Sequence, residues 1–333
     1  MSATRTTDLV IPAIFSPATI ERATELSEIV QSEAVVRAGF FDSLCNGPGA
    51  TYNMPYLKEV TGSSEVISDT GGSLTVNPVT EDKDIAPALN RGKAWGENDL
   101  ARWASGADPV GSIRDFVAGF WARDAKQIML KILDGLFDNT NGVLRTTHRV
   151  NIYNDVVAGS ITDAMRLTGD TFVDGTLKLG DFSPTIRAVL VHSDIEGYWR
   201  KKQLIAYVQP AGAVGARIPT FQDRRVMVSD DCPKVAGANS PSYTSYLFGV
   251  GSFALGYQTN DPERATEIQR VGLASETYLI TRRRMLLHPL GVKWSGSAAA
   301  AGGPTNTELA TGTNWTKVYQ DKNIHIVAIK HNL

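Results

Sequence analysis

The stretch DPVGSIRDFVAGFWARDAKQIMLKILDGLFDN (108–139) carries the pattern that decides the fold. Its apolar residues recur at spacings of three and four, which places them on one face of an α-helix. These residues are Ile113, Phe116, Val117, Phe120, Trp121, Ile128, Ile132 and Leu136. Asp108 can cap the first amide groups, and Pro109 presets the first helical residue. The pattern therefore predicts one amphipathic helix.

This predicted helix is unusually long. It runs for about 29 residues before the turn at 139–142, which corresponds to roughly 43 Å. Ordinary globular helices are much shorter. A rod of this size is typical of a strut, and a core helix in a large enzyme is the alternative interpretation.

Composition excludes several classes of protein. The chain has 333 residues and is 42% hydrophobic, enough for one large or two modest domains with a substantial core. With 33 Lys and Arg against 35 Asp and Glu, the net charge of −2 provides no field that attracts nucleic acid or anionic membrane. No apolar run approaches the roughly 18 to 20 residues of a membrane span, and the start lacks a hydrophobic signal core. We expect a protein made and kept in the cytosol.

The two cysteines carry no pattern typical of a metal site or a disulfide framework. Cys45 and Cys232 lie far apart and have no CxxC or Cys/His neighbour. Both are predicted to be structural thiols.

The region 46–93, which follows a first helix, predicts an arm. Ser16 and Pro17 open an amphipathic helix that ends before Gly39. A strand is predicted over 51–60, followed by a polar passage rich in Gly, Ser and Thr, and by extended chain over 74–89. This region has too few large apolar residues to form a core of its own. It is therefore either an arm that binds another molecule or a flexible surface hairpin. The acidic run at 81–84 is interpreted as a solvated charged tip.

The second half of the chain mixes strands and helices. Short helices are predicted over 171–181 and over 193–204, the latter capped by Ser193. A strand and turn are predicted over 141–157, and the segment 295–308 is predicted to be a low-complexity loop or linker. The predicted strands are 186–192, 225–231, 246–257, 276–288 and 317–330. This is an α+β plan without a βαβ nucleotide pattern.

No arrangement of residues predicts catalysis. Lys93 follows Gly92, but the other glycine of a phosphate loop is missing, and Ser252 lacks the flanking glycines of a nucleophile elbow. The five histidines show no helical metal-pair spacing. They are His148, His192, His288, His325 and His331. We predict no catalytic, cofactor-binding or metal-binding residue, no cofactor, and no enzymatic activity.

Three smaller clusters have structural interpretations that we favour. Gly249, Gly251 and Gly256 predict a close-packed or bulged strand more than a phosphate site. The acidic pair at 230–231 predicts a turn more than a cation site. The arginines at 282–284 are expected to pair with acidic neighbours on another subunit or domain, with phosphate contact as the alternative.

The order of these blocks resembles one family. A WGENDLARWASGADP segment (95–109) leads into the long helix, and LGDFSPTIRAVLVHSDIEGYWRKKQLI (179–205) and PTFQDRRVMVSDDCP (219–233) follow. TSYLFGVGSFALGY (244–257) and RRRMLLHPLGVKW (282–294) complete the match. In this order the chain is similar to the major capsid protein of tailed bacteriophages, the fold first described for the Hong Kong phage shell.

The resemblance implies a division of the chain and a set of partners. The implied parts are an N-terminal arm (1–45), an extended β-hairpin loop (46–94), a peripheral domain with the long spine helix (95–149), an axial domain (150–280) and C-terminal strands returning to the peripheral domain (281–333). Copies of the chain would form pentamers and hexamers of an icosahedral virion shell, assembled in the host bacterial cytoplasm around double-stranded DNA that is bound without sequence specificity. A separate scaffolding protein is expected because no long helical extension precedes the arm, together with a portal and an optional decoration protein. No membrane is involved.

Two other functions stay open at this point. An encapsulin-like bacterial nanocompartment shares the fold, although the long arm favours the phage shell. A soluble α/β enzyme would need a nucleophile, a base and an oxyanion loop in recognisable order, and the sequence lacks these.

Overall fold

The computed structural model describes residues 33–58, 62–67, 74–98, 110–208, 218–261 and 265–333. The predicted helix start at Ser16 and the cap formed by Asp108 and Pro109 lie outside these residues. The described helices are α1 (Gly39–Asn46), α2 (Val110–Leu136), α3 (Gly169–Thr176), α4 (Ser193–Lys201) and α5 (Asn306–Leu309).

Seventeen strands lie within the described ranges. In chain order they are β1 (Val35–Arg37), β2 (Thr51–Leu57), β3 (Glu81–Pro87), β4 (Leu89–Asn98), β5 (Arg149–Asn151), β6 (Ile186–Val191), β7 (Ala206–Val208), β8 (Ile218–Phe221), β9 (Arg224–Val228), β10 (Lys234–Val235), β11 (Ser242–Gly249), β12 (Phe253–Tyr257), β13 (Thr266–Val271), β14 (Glu276–Pro289), β15 (Val292–Trp294), β16 (Trp315–Lys317) and β17 (Ile326–His331).

Two main sheets organise these strands. In the five-stranded sheet, β1, β12, β14 and β13 follow one another, and β4 pairs with the other edge of β14 over ten residues. The eight-stranded sheet has the order β5-β17-β11-β6-β9-β8-β7, and β10 pairs with β11. The hairpin β2–β3 and the pair β15–β16 form separate two-stranded sheets. The predicted α+β class is confirmed.

Strands from different predicted parts of the chain pair with one another. Strands β12 and β13 fall within 150–280, yet they pair with β14 in the five-stranded sheet. The last strand, β17, lies in the eight-stranded sheet beside β11, not in the sheet of β14. Hydrogen bonding between distant segments sets these pairings, and sequence blocks do not show it. The positions of the five parts in an assembled shell stay a prediction.

The long predicted helix is confirmed as α2, which has 27 residues. Its second half is the buried part: Ile128, Ile132 and Leu136 are fully buried in the largest core cluster, which also contains residues of both main sheets. Nearer its start, Val117 and Trp121 pack against Leu279 of β14. One helix therefore joins the two sheets.

One member of the predicted apolar stripe is not buried. Phe116 is 72% exposed, and Phe120 is half-buried beside Trp95 and Trp121. At this end the described part of α2 packs against Leu279 of β14, with Trp95 of β4 and Ile268 of β13 partly buried beside it. The prediction for Phe116 was therefore wrong for a single subunit.

Other predicted elements are confirmed in part. The strand predicted over 246–257 is two strands, β11 and β12, and the one predicted over 317–330 is interrupted by a 3₁₀ turn at Asp321–Asn323. The predicted strands at 51–60, 186–192 and 276–288 appear as β2, β6 and β14, and the predicted helix at 171–181 appears as α3 followed by 3₁₀ turns. The residue that caps α4 is His192, not Ser193, because its Nδ1 accepts the Asp194 amide at 3.1 Å. The first helix was predicted to end before Gly39, and residues 35–37 form β1, which pairs with β12.

The segment 295–308 also differs from the predicted linker. Its backbone bonds to β4 through Gly302, whose carbonyl accepts the Asn90 amide at 3.1 Å. A Cβ on Gly303 would come within 2.0 Å of the Ala88 carbonyl oxygen, and Gly303 has a φ of +114°. Only glycine fits this approach without strain. The segment therefore packs closely against β4.

Substitutions on α2 should separate its buried and exposed positions. We expect Ile132→Ala to lower the free energy of unfolding by about 2–5 kcal/mol, because it leaves a cavity between the two sheets. Phe116→Ala is the matched control, since an exposed side chain contributes little to the stability of the isolated subunit. Urea denaturation of unassembled subunits would measure both changes. Equal effects of the two variants would contradict the assigned helix phase.

Candidate assembly surfaces

The residues considered for catalysis are engaged in structural contacts. The Ser252 hydroxyl donates to the carbonyls of Gly249 and His325 at 2.7 and 2.8 Å. The His148 ring contacts the Asp321 carbonyl through Nε2 at 2.9 Å. Among the described residues, no group of three or more His, Cys, Asp or Glu is arranged to bind a metal ion.

The two cysteines are free and buried. Burial raises the pKa of the Cys45 thiol to about 11 and that of Cys232 to about 12. Thiols with such raised pKa values are poor nucleophiles. The prediction of structural thiols agrees with this geometry.

The glycine and acidic clusters have the structural roles that we favoured. The pairing register shifts between Phe248 and Gly249 at the end of β11, and a Cβ on Gly256 would come within 2.5 Å of the Phe41 carbonyl oxygen. Asp230 and Asp231 lie in a turn, where the Asp231 carboxylate pairs with Lys126 of α2 at 2.9 Å.

The three consecutive arginines have three different environments. Arg282 pairs with Glu267 on the adjacent β13 at 3.0 Å. Arg284 donates to the Tyr52 hydroxyl at 2.7 Å and to the Gly49 carbonyl at 2.6 Å. Arg283 lies over the rings of Trp121 and Tyr257. Within the described chain, the hydrogen bonds of Arg284 go to neutral groups and Arg283 lies over two rings, while pairing with acidic residues of another subunit stays a prediction.

His331 is a fully buried histidine near the end of the chain. Its Nε2 contacts the Ser245 hydroxyl at 2.8 Å, and its Nδ1 contacts the Asn332 carbonyl at 2.7 Å. Burial lowers the pKa of His331 to about 4. Because the unfolded chain takes up this proton near pH 6.5, protonation favours unfolding.

This histidine should make stability depend on pH. Its contribution is complete above about pH 6.5 and is lost as the pH falls toward 4, by at most about 3 kcal/mol. We expect His331→Asn to reduce the slope of the urea midpoint against pH in this window, although His148, whose pKa burial also lowers, leaves part of the slope. His325→Asn serves as the control and should keep the wild-type slope. An unchanged slope in His331→Asn would rule out this histidine as the source.

The hairpin β2–β3 forms the base of the predicted arm and is attached to the five-stranded sheet. Its strands pair from Thr51 opposite Pro87 to Leu57 opposite Glu81. Tyr52, Met54 and Ala86 pack with Ala254 and Leu286 of the sheet. Further along the same face of β2, the Tyr56 hydroxyl donates to the Val318 carbonyl at 3.0 Å.

The acidic run at 81–84 includes a buried anchor, which the sequence interpretation missed. Asp84 is fully buried and contacts His288 Nε2 at 2.8 Å, while its second oxygen accepts the Gly291 amide at 2.9 Å. The His288 Nδ1 has no hydrogen-bond partner among the described residues. This arrangement places the ring proton on Nε2, which donates to the carboxylate. Asp84 was therefore wrongly predicted to be a solvated tip, and it anchors β3 to the end of β14.

Removing this anchor should loosen the base of the arm. We expect Asp84→Ala to lower the free energy of unfolding by about 3–5 kcal/mol, because buried partners are left without a hydrogen bond. Asp82→Ala is the matched control two residues away, where a partly exposed carboxylate pairs with Lys58, and it should change stability by less than about 1 kcal/mol. Urea denaturation measures both. A tolerated Asp84→Ala would show that apolar packing alone holds the hairpin.

Beyond Leu57 the arm exposes apolar side chains. Val66 is 94% exposed and Val76 is 90% exposed. The others are Leu57, Ile67, Leu74 and Val79. Within the described parts of the arm, Glu65 accepts the Thr75 amide at 3.0 Å. An arm held at its base, with exposed apolar side chains in its described parts, is typical of a surface that contacts another molecule.

Candidate membrane-spanning helices are absent from the ranges described above. None of the helices there combines the length and the apolar content needed to cross a bilayer.

Comparison with known proteins identifies a relative with similar sequence and solved structures with a similar fold. The chain is 37% identical over 336 residues to the major capsid protein of Bacillus phage SPP1, an alignment covering 100% of this chain and 99% of the relative. No family model matches the chain.

Solved structures share the fold at low identity. The capsid of Ralstonia phage GP4 matches with a TM-score of 0.59 and 8% identity, over 90% of this chain and 88% of that one. The cyanophage Pam1 capsid matches with a TM-score of 0.54 and 12% identity, over 88% and 87%. The capsid of a native GTA particle matches with a TM-score of 0.52 and 13% identity, over 100% and 94%.

These similarities agree with the uncovered arm and the helix that joins two sheets. The fold is the Hong Kong phage type that the sequence resemblance predicted. The full-length relative decides between the phage shell and the nanocompartment in favour of the phage. The chain belongs to the major capsid proteins of tailed bacteriophages.

Proposed function

We propose that copies of this chain assemble as pentamers and hexamers into an icosahedral shell around the double-stranded DNA of a tailed phage, and that the arm of each copy lies across a neighbouring copy. The observation that supports this most directly is the contrast between the base of the arm and the rest of it. The base is fixed by Asp84 and the surrounding apolar cluster, while Val66 and Val76 are almost fully exposed.

Contact with a neighbour would bury the exposed side chains of the arm. Each Val, Ile or Leu that becomes fully buried contributes about 1.5–3 kcal/mol. A closed shell repeats the contact at every copy. The arm can therefore stabilise an assembly while contributing little to the fold of its own subunit.

The long helix suits the same role. At about 1.5 Å per residue, the 27 residues of α2 span roughly 40 Å. Because its second half is buried against both sheets, the helix transmits force between them as one rigid part. A shell subunit under internal pressure needs such a strut.

We further propose that the shell encloses DNA without reading its sequence. The net charge of −2 offers little general attraction for DNA phosphates, whose charge small counterions can balance. In this proposal a scaffolding protein and a portal take part in assembly, a decoration protein is an optional partner, and assembly takes place in the host cytoplasm before the chain becomes part of the virion.

We also propose that the chain is not an enzyme. Ser252 donates to two carbonyls, His148 and His331 are buried in structural contacts, and both cysteines are buried with raised pKa values. None of these groups meets a base and an oxyanion site in the arrangement that acyl transfer requires.

Polar substitutions on the arm test its role. We expect the triple variant Val66→Ser, Ile67→Ser and Val76→Ser to keep the urea midpoint of the unassembled subunit but to lose stable particles, because the exposed apolar area disappears. Sedimentation with and without a scaffolding protein measures assembly. The variant with Ser63→Thr and Ser64→Thr is the matched control in the same segment and should assemble normally.

Limited proteolysis provides a second measurement on the same variants. Cuts within 62–80 should come first in unassembled subunits and should become rare in particles, where the neighbour covers the arm. Normal particles from the triple variant, or equal cutting in both states, would show that the arm does not contact a neighbouring copy.

A further inference from the structure

Two arginines lie opposite each other in the pairing of β4 with β14, on the side of the sheet that α2 covers. Arg91 is in direct register with Arg283, so both side chains project from the same face. Leu279 and Met285 alternate with Arg283 onto that face, and both pack in clusters that contain residues of α2. Like charges directly opposite each other destabilise a strand pair, so this arrangement requires a negative charge nearby.

Asp124 of α2 is the carboxylate whose charge acts on both arginines. It follows Trp121 by three positions and precedes Ile128 by four, which places it on the buried side of the helix. The carboxylate of Glu308 acts on Arg91 but not on the second arginine. Arg91, Asp124 and Arg283 therefore form one unit between helix and sheet, which we name the charge triad.

The charge triad is not joined by direct bonds. Within the described chain, Asp124 forms no ion pair, and its Oδ2 is buried without a hydrogen-bond partner. The buried Nε of Arg91 and Nη2 of Arg283 also lack an acceptor there. Burial raises the pKa of Asp124 more than the two arginines lower it. One acceptor and two donors of opposite charge thus stay unused side by side, and each costs free energy until a contact forms.

The part of α2 that precedes Asp124 is the part with room to move. Ile128 and Ile132 fix the second half of the helix, because both are fully buried between the sheets. In the first half, Phe116 is 72% exposed and Phe120 is half-buried. A small displacement of the first half toward β14 therefore disturbs little of the packing.

We propose that the charge triad closes when a neighbouring copy contacts the subunit: the first half of α2 moves toward β14, and the Asp124 carboxylate accepts hydrogen bonds from Arg91 Nε and Arg283 Nη2. Charge-assisted hydrogen bonds between guanidinium and carboxylate are about twice as strong as neutral ones. Closure satisfies three buried atoms at once, which selects one position of the helix. A neighbour that packs on the exposed Phe116 favours this position through its greater affinity for it. The involvement of a neighbour rests on the proposed function.

Hydrogen exchange with mass spectrometry tests closure on unassembled full-length subunits and on particles. The measured quantity is the exchange rate of the α2 amides over 116–124 in the wild type and in Asp124→Asn, which keeps the size of the side chain but removes its charge. In particles this variant should raise the rate about tenfold or more, because the bonds of the closed triad are lost. In subunits the rate should rise less than about threefold, because no direct bond is present to lose.

The matched control is Lys126→Gln in the same helix. Lys126 already pairs with Asp231 at 2.9 Å, so its loss should change the exchange rate by the same factor in subunits and in particles. This control separates closure of the charge triad from a general effect of assembly on α2.

A double variant tests whether the three residues act together. Arg283→Met removes the charge and keeps apolar contact with the Trp121 and Tyr257 rings. In particles, Asp124→Asn combined with Arg283→Met should exchange no faster than the faster single variant, because both changes break the same triad. Arg91→Gln replaces Arg283→Met in this comparison if the latter does not fold.

A particle map gives the second measurement and decides if Asp124→Asn forms no particles. We expect the Asp124 carboxylate to lie within about 4 Å of both guanidinium groups. A carboxylate farther than this from both groups, or an equal effect of Asp124→Asn in subunits and particles, would overturn the proposal while the proposed function stands. Absence of particles from the wild type would contradict the proposed function itself, and closure by a neighbour with it.

Discussion

Burial of the second half of α2 against both main sheets is the interaction on which the rest of the structure depends. Ile128, Ile132 and Leu136 are fully buried in one cluster that includes residues of β11 and β17 on one side and of β12 and β14 on the other. Without this helix the two sheets would share far less apolar surface. The contact is stabilised by the apolar area that it removes from water. Many combinations of side chains of similar size can therefore form it.

The same reasoning explains how proteins of 8–13% identity can share the fold. Apolar residues at the helical period and alternating residues in strands preserve the packing, even when individual residues differ. Fold similarity at such low sequence identity therefore says little about function. Here the full-length relative at 37% identity provides the family, and the exposed arm provides a physical reason for assembly.

Sequence patterns predicted the helices and strands that depend on residues within a single segment. The period of α2, the apolar run of β6 and the long alternation of β14 depend on residues within one segment, and all three appear as expected. The errors concern distant partners. The acidic run at 81–84 looked solvated because nothing near it identifies His288, which lies 204 positions away. The placement of β17 beside β11 depends equally on pairing across the chain.

The exposure of the arm's apolar residues was predicted in outline for a related reason. A shortage of large apolar residues over the arm indicated that the segment could not fold on itself, and its outer part is indeed uncovered. The sequence could not show where the covered part ends. That limit depends on Asp84, which faces inward, and on Asp82 two residues earlier, which pairs with Lys58 at the surface. A buried polar anchor requires one geometry to satisfy its hydrogen bonds, whereas apolar packing alone permits sliding. The anchor therefore sets the direction in which the exposed arm leaves the subunit, and a shell of identical copies needs that direction to be the same in every one.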